Sequence, residues 1–159
     1  MKARRYAAVA ATLVVAALAA TAGTARAAMS LTIGQPDLQA GVLVAVPATV
    51  SCSPWDASLT PASSQLSLSV EQAVSKTAVA HGTAELFGSP NSELLYPCDD
   101  NPHAFTVNVL ADPSGAPFRK GPAVITGFAS AAAGTSCGQG CIFGFVFQST
   151  SLTTTARLK

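Results

Sequence analysis

The sequence predicts an all-β protein, an antiparallel sandwich of about seven to nine short strands. Three observations carry that expectation. In the stretch Val42 to Cys52, residues Val42, Val44, Val46, Ala48, Val50 and Cys52 are apolar at every second position. A half-buried strand requires that period, because successive side chains point to opposite faces. The alternation returns in Leu66, Leu68, Val70 and again in Phe105, Val107, Val109, with Pro, Gly, Asp, Asn and Ser clusters between the runs. No segment shows a convincing helical period; Gln72 to Ala80 can be forced into one, but Val74, Thr77 and Val79 suit a strand better.

The first 27 residues are read as a leader rather than as fold. Lys2, Arg4 and Arg5 precede an apolar run from Ala7 to Ala20, and Ala25-Arg26-Ala27 offers the small residues a signal peptidase accepts. The run is too short for a spanning helix, which needs roughly 20 residues. Cleavage after Ala27 gives a secreted, extracellular chain, residues 28–159, expected to be one β-sandwich domain of 132 residues with no membrane span. Four of the nine basic residues leave with the leader, so five basic residues face eight acidic ones and the net charge becomes −3. The mature chain carries no basic stripe, which excludes the charge footprint of a nucleic-acid binder.

The elements then follow in order. Leu31 to Ile33 is a short strand ended by Gly34 and Pro36. Val42 to Cys52 is interrupted by Pro47, which cannot donate to a ladder, so it is an edge strand, a bulged strand or two strands joined by a bend. Ser53 to Ser64 has loop composition, Leu66 to Glu71 is a strand, and Thr77 to Leu86 forms the next. Gly88 to Asn91 is a turn. Leu94, Tyr96 and Cys98 alternate, which sets Cys98 on an apolar face as Cys52 is, and Asp99 to Pro102 turns the chain again. Phe105 to Val109 is a strand, Asp112 to Gly121 a long connection, Ala123 to Ala129 a strand and Ala131 to Gly140 a small-residue loop. Phe143 to Phe147 and Leu152 to Leu158 close the chain as two strands.

Cys52, Cys98, Cys137 and Cys141 form an even set in an exported chain, which argues for two disulfides. Three pairings exist and sequence does not choose among them. The flexible Gly138-Gln139-Gly140 favours Cys137–Cys141, and Cys52–Cys98 then follows. A zinc site is the rival reading, but only one pair has zinc spacing, so no metal is expected.

An inward cysteine on an early strand and a second some 46 residues later resemble the layout of immunoglobulin-like β-sandwiches. Leu68 to Val74, His103 to Val109 after the Cys98 turn, and Pro117 to Gly127 resemble a group of small secreted actinobacterial proteins. That resemblance covers about half of the mature chain. It implies export and a sandwich fold but no activity. Trp55 departs from the immunoglobulin pattern, lying three residues after Cys52 instead of within the following strand. The Cys137–Cys141 loop alone is similar to the neocarzinostatin-type carriers.

No constellation for catalysis stands out. The histidines are His81 and His103, and no G-x-S-x-G occurs. Asp99-Asp100-Asn101 lacks calcium-loop spacing and reads as a solvated turn. Glu85 and Glu93 have no separation that makes them a glycosidase pair. Gly134 to Gly144 lacks the Lys-Ser/Thr of a phosphate loop. The expectation is a non-enzymatic extracellular module without a cofactor, binding a protein, glycan or small apolar ligand; a hydrolase inhibitor or small-ligand carrier is the alternative. The candidate anchors are Trp55 in the Ser53 to Ser64 loop, and Phe118 and Arg119 in the Asp112 to Gly121 loop, since aromatic and Arg side chains carry most binding energy. Trp55 either packs on Cys52 or faces solvent. Phe143, Phe145 and Phe147 line one strand face, and filling the core is the favoured placement over a binding surface.

Expression of the full chain in a secreting host tests the leader. N-terminal sequencing of the protein recovered from the medium is expected to begin at Ala28; retention of Met1 to Ala27 contradicts the reading.

Overall fold

The computed structural model describes residues 29–89, 93–136 and 142–159. It is all-β, with eight strands and no helix among the described residues. The strands are β1 (Met29–Ile33), β2 (Asp37–Gln39), β3 (Leu43–Cys52), β4 (Thr60–Ala73), β5 (Val79–Gly88), β6 (His103–Ala111), β7 (Gly121–Ser136) and β8 (Ile142–Leu158). Every pairing is antiparallel, in the order β1-β3-β6-β5-β4-β7-β8, with β2 also on β3.

The ladder is uneven, and this shapes the molecule. β4 pairs with β5 and with β7 over most of its length, whereas β5 meets β6 only at Gly82–Ala111 and Thr83–Leu110. The sheet rolls nearly into a barrel. Its ends approach where Leu31 and Ile33 of β1 pack over Gly127 of β7: a Cβ there would lie 2.8 Å from Leu31 and 3.3 Å from Ile33. The Leu38 amide donates to the Lys159 carbonyl at 3.2 Å, and the Gln35 side chain donates to the Arg157 carbonyl.

The alternation read from sequence sets the core. Val44, Val46, Val50, Leu66, Leu68, Val70, Val107, Val109 and Ile125 all point inward and are buried. Pro47 sits inside β3 without breaking it. Its carbonyl accepts from the Gly34 amide at 2.8 Å, so the N–H it lacks would face the same edge. That edge is where β1 has ended and β2 has not begun. The missing donor therefore meets a gap in the neighbour, and none of the three sequence-based alternatives describes a strand paired on both sides in this way. The β2–β3 turn carries Ala40 at φ 53° and Gly41 at φ 74°, the left-handed pair of a tight hairpin turn.

The short β2 was not expected, and several boundaries differ from expectation. The Ser53 to Ser64 loop gives way to β4 at Thr60, and β7 extends through Ser136, past the expected end at Ala129. Ala131 to Gly134 are buried, so small residues taken for a loop are there to pack closely. The two terminal strands are one, β8. Leu94 to Cys98 is not a strand; it is a bent segment docked on the sheet. Leu95 donates its amide to Ser64 Oγ at 2.7 Å, and Tyr96 Oη reaches the carbonyls of Gln65 and Ser130 at 2.8 and 2.7 Å. Cys98 closes on Cys52 as a disulfide. Cys137 and Cys141 lie outside the described residues.

Two predictions follow from this docked segment. The Cys52–Cys98 link closes a loop with a sequence separation of 46, and loop entropy assigns it about 4 kcal/mol. Denaturant titration of Cys52→Ala/Cys98→Ala is expected to show a loss of that order, and an unchanged midpoint would contradict it. Burial pushes the Tyr96 phenol up to about 12. The neutral phenol is thus favoured by folding, a contribution complete below pH 10 and lost as the pH rises through 12. Tyr96 is the one tyrosine after Tyr6. Tyrosinate absorbance in a Tyr6→Phe chain should appear near pH 12 or together with unfolding. A titration at the ordinary pH 10 with the fold intact would refute it.

Candidate functional site

The residues singled out in the loops do not come together. Phe118 is 2% exposed and belongs to the core, which corrects its assignment as a binding anchor. The cause is Gln72 on β4: its side-chain Nε2 donates to the Arg119 carbonyl at 2.7 Å and its Oε1 accepts from the Arg119 amide at 2.8 Å. This buried amide clamps the loop like a strand neighbour and turns Phe118 inward. The Arg119 side chain is exposed at that end of β4. Trp55 is half-buried against the core, just before β4 begins at Thr60. From Thr60 to Gln72 a strand runs about 40 Å, so Trp55 and Arg119 mark opposite ends of the molecule.

The titratable candidates are held in local turns. Asp99 accepts from the Asn101 amide at 3.0 Å and lies 2.9 Å from His103 Nε2. Hydrogen bonding from Asn101 and then from His103 holds its carboxyl down at about 2. Asp56 and Asp112 accept from the amide and hydroxyl of Ser58 and Ser114, which lowers both carboxyls below the usual range. Glu85 pairs with Gln65, whose Nε2 donates to Oε1 at 2.8 Å, and not with Glu93. No group of three metal-ligating side chains occurs among the described residues.

What the fold assembles instead is a surface on the outward side of β5, β4, β7 and β8. Ser67 lies opposite Glu85 on one side and Phe128 on the other, and Phe128 lies opposite Ser151. The next row is Thr83, Ser69, Thr126 and Thr153, with the last two hydroxyls 3.3 Å apart. Above these rows is a concavity of about 300 Å³ lined by Ser67, Ser69, Thr83, Glu85, Thr126 and Phe128. Strands are spaced at about 4.8 Å, so Glu85 and Phe128 stand about 10 Å apart. Between them the sheet carries only short hydroxyl side chains. Phe128 is 39% exposed, and Gln65 fixes the carboxylate facing it.

A second hollow of about 540 Å³ lies at the seam, lined by Val42, His81, Thr83, Leu110, Asp112 and Pro113. Asp112 is already engaged there: its amide donates to the His81 carbonyl at 2.7 Å, and its carboxylate is taken by Ser114. The hollow offers mainly apolar wall, with Val42 and Leu110 exposed.

The Phe stripe is also corrected. Phe145 is 51% and Phe147 is 70% exposed, so these rings do not fill the core. On β8 the inward parity belongs to Gln148, Leu152, Ala156 and Leu158. Gln148 is buried, and its Nε2 donates to the Ser53 carbonyl at 2.9 Å. The side chain of Phe143 lies outside the described residues.

Phe128, Thr83 and Thr126 were missed by sequence reasoning. The available signal was parity: in Ala123 to Ala129, Ala123, Ile125, Gly127 and Ala129 go inward, which sends Val124, Thr126 and Phe128 out. No family model, no curated protein and no solved structure matches the chain.

Proposed function

We propose that this is an exported, non-catalytic β-sandwich of immunoglobulin-like topology that binds neutral carbohydrate on the outward face of β5, β4, β7 and β8. The strand order supports the topology. Beside one another run β1, β3 and β6, then β5, β4, β7 and β8, the order of the A, B, E and C′, C, F, G strands of an immunoglobulin-like Greek key. The thin β5–β6 seam marks where one layer gives way to the other. Cys137–Cys141 is the second disulfide in this reading.

The observation that carries the binding function is the row Glu85, Ser67, Phe128. A pyranose has an apolar C–H face and a rim of hydroxyls. The C–H face stacks on an aromatic ring. The rim needs acceptors and donors at short range, which the fixed Glu85 carboxylate and the Ser and Thr hydroxyls supply. The concavity of about 300 Å³ has room for one or two sugar rings and is open to solvent, so an oligosaccharide can run past it. The low charge of the chain, 11% Asp, Glu, Lys and Arg, favours a neutral ligand over an ionic one. The apolar hollow at the seam favours the second reading, a carrier of a small apolar molecule.

Calorimetric titration with a panel of neutral oligosaccharides, run beside an apolar fluorescent dye, tests both. Binding of at least one glycan is expected with Kd on the order of 100 µM, near −5.5 kcal/mol. Phe128→Ala should weaken it about tenfold or more, equivalent to about 1.4 kcal/mol. Phe128→Ala binding as tightly as the parent, or a panel without a single binder, overturns the glycan reading. Dye binding reduced by Leu110→Ser would establish the carrier instead.

A further inference from the structure

We propose that the outer edge of β8 pairs with the same edge of a second copy, giving a closed antiparallel dimer centred near Phe147. β8 is the last strand of the sheet. Its C-terminal end is tied to the body, since Leu38 and Gln35 bond to the carbonyls of Lys159 and Arg157. From Val146 to Thr150 its backbone pairs on one side with β7, and no ladder partner stands on the other among the described residues.

Strand edges left open in this way are normally guarded by charge, proline or a bulge, because unpaired amides and carbonyls template another strand. Ile142 to Ala156 contains no charged residue and no proline. A register shift lies between Ala133 and Thr135, and Gly144 has φ +65°, so the irregularity is confined to the start of the strand. Beyond it the edge is regular from Val146 onward; Val146 and Phe147 are exposed, and so is Phe145 at the border of the irregularity, with the two rings 6.2 Å apart.

The pattern is self-complementary. Antiparallel pairing about Phe147 sets that ring opposite its own mate, Phe145 opposite Ser149, and Val146 opposite Gln148. Aromatic pairs stabilise such ladders, and no like charges are opposed. Pairing the edge of β8 with the same edge of a second copy is isologous, so this assembly closes at two. Five paired residues on each strand span about 17 Å, and with four rings the interface buries on the order of 1,000 Å², the low end for a specific pair. The dimer is therefore weak and concentration-dependent. If the glycan reading also holds, antiparallel pairing puts both Phe128 concavities on one face of a continuous sheet, so that one polymer can engage both.

Sedimentation velocity on the protein recovered from the medium, from low micromolar to near-millimolar and without ligand, tests the pairing independently of any glycan. The expected result is a monomer passing to a dimer and no further. Phe147→Lys, which opposes two ammonium groups at the two-fold, should raise the midpoint concentration at least tenfold. Phe145→Thr/Phe147→Thr, which keeps strand propensity, should raise it as well, with circular dichroism verifying the fold, while Phe128→Ala leaves it unchanged. A monomer at every concentration, growth beyond a dimer, or association of both edge variants like the parent would overturn the proposal.

Discussion

The continuity of this sheet rests on two residue pairs, Gly82–Ala111 and Thr83–Leu110. Among the described residues they are the only ladder pairs between β5 and β6, continued by the bond from the Asp112 amide to the His81 carbonyl, and they form because the backbones come unusually close. A Cβ on Gly82 would sit 2.2 Å from the Leu110 carbonyl oxygen, against main chain that cannot yield cheaply. On either side of this rung the ladders are long, so the sheet bends where its pairing is thinnest. The curvature that brings β1 over β7 and faces the valines of β3 and β6 toward the leucines of β4 depends on that bend.

Strands that diverge from a short seam expose backbone edges and core, and the chain covers them with the segment from Glu93 to Cys98. Gly88 makes room for it: a Cβ there would lie 2.1 Å from the Leu95 nitrogen. The segment has no regular structure and is held by side chains. Ser64, Tyr96 and the Cys52–Cys98 link each fix a different point. Tyr96 contributes most in area, being fully buried with its ring edge-on to Phe105 at 6.0 Å. A buried hydroxyl needs partners, and it finds them in the carbonyls of Gln65 and Ser130, residues that face each other across β4 and β7. One side chain thereby joins the cover to both strands beneath it.

Much of the architecture was legible because period-two alternation survives tertiary packing. The inward set of β3 was read correctly from Val44 to Cys52, and Val42 alone of that set lies exposed, beyond the end of the strand. The failures share a cause. Small residues signal loops in sequence, but Ala131 to Gly134 lie in a strand whose neighbours leave little room, and the physical demand there is close approach. Parity was also followed within segments and not across them. Leu152, Ala156 and Leu158 are even-numbered and inward, so in one continuous β8 the odd-numbered Phe147 must face out, and Phe145, at the register shift, is exposed beside it. Dividing that stretch into two strands concealed the contradiction with a buried Phe stripe. Nothing local in the sequence could bring Glu85, Ser67 and Phe128 into one row, since that row is a matter of register between three strands.

The placement of the two ends of the described chain has a mechanical meaning. Met29 begins opposite Cys52, beside the disulfide, whereas Leu158 finishes opposite Gly121, at the far end of the strands. Tension applied between Met29 and Lys159 therefore runs along the strands and not across them. The five β1–β3 pairs are then loaded together in shear, where a perpendicular pull would peel them one at a time. A protein stretched between an anchor and a load in this way resists extension by the simultaneous strength of its terminal rungs.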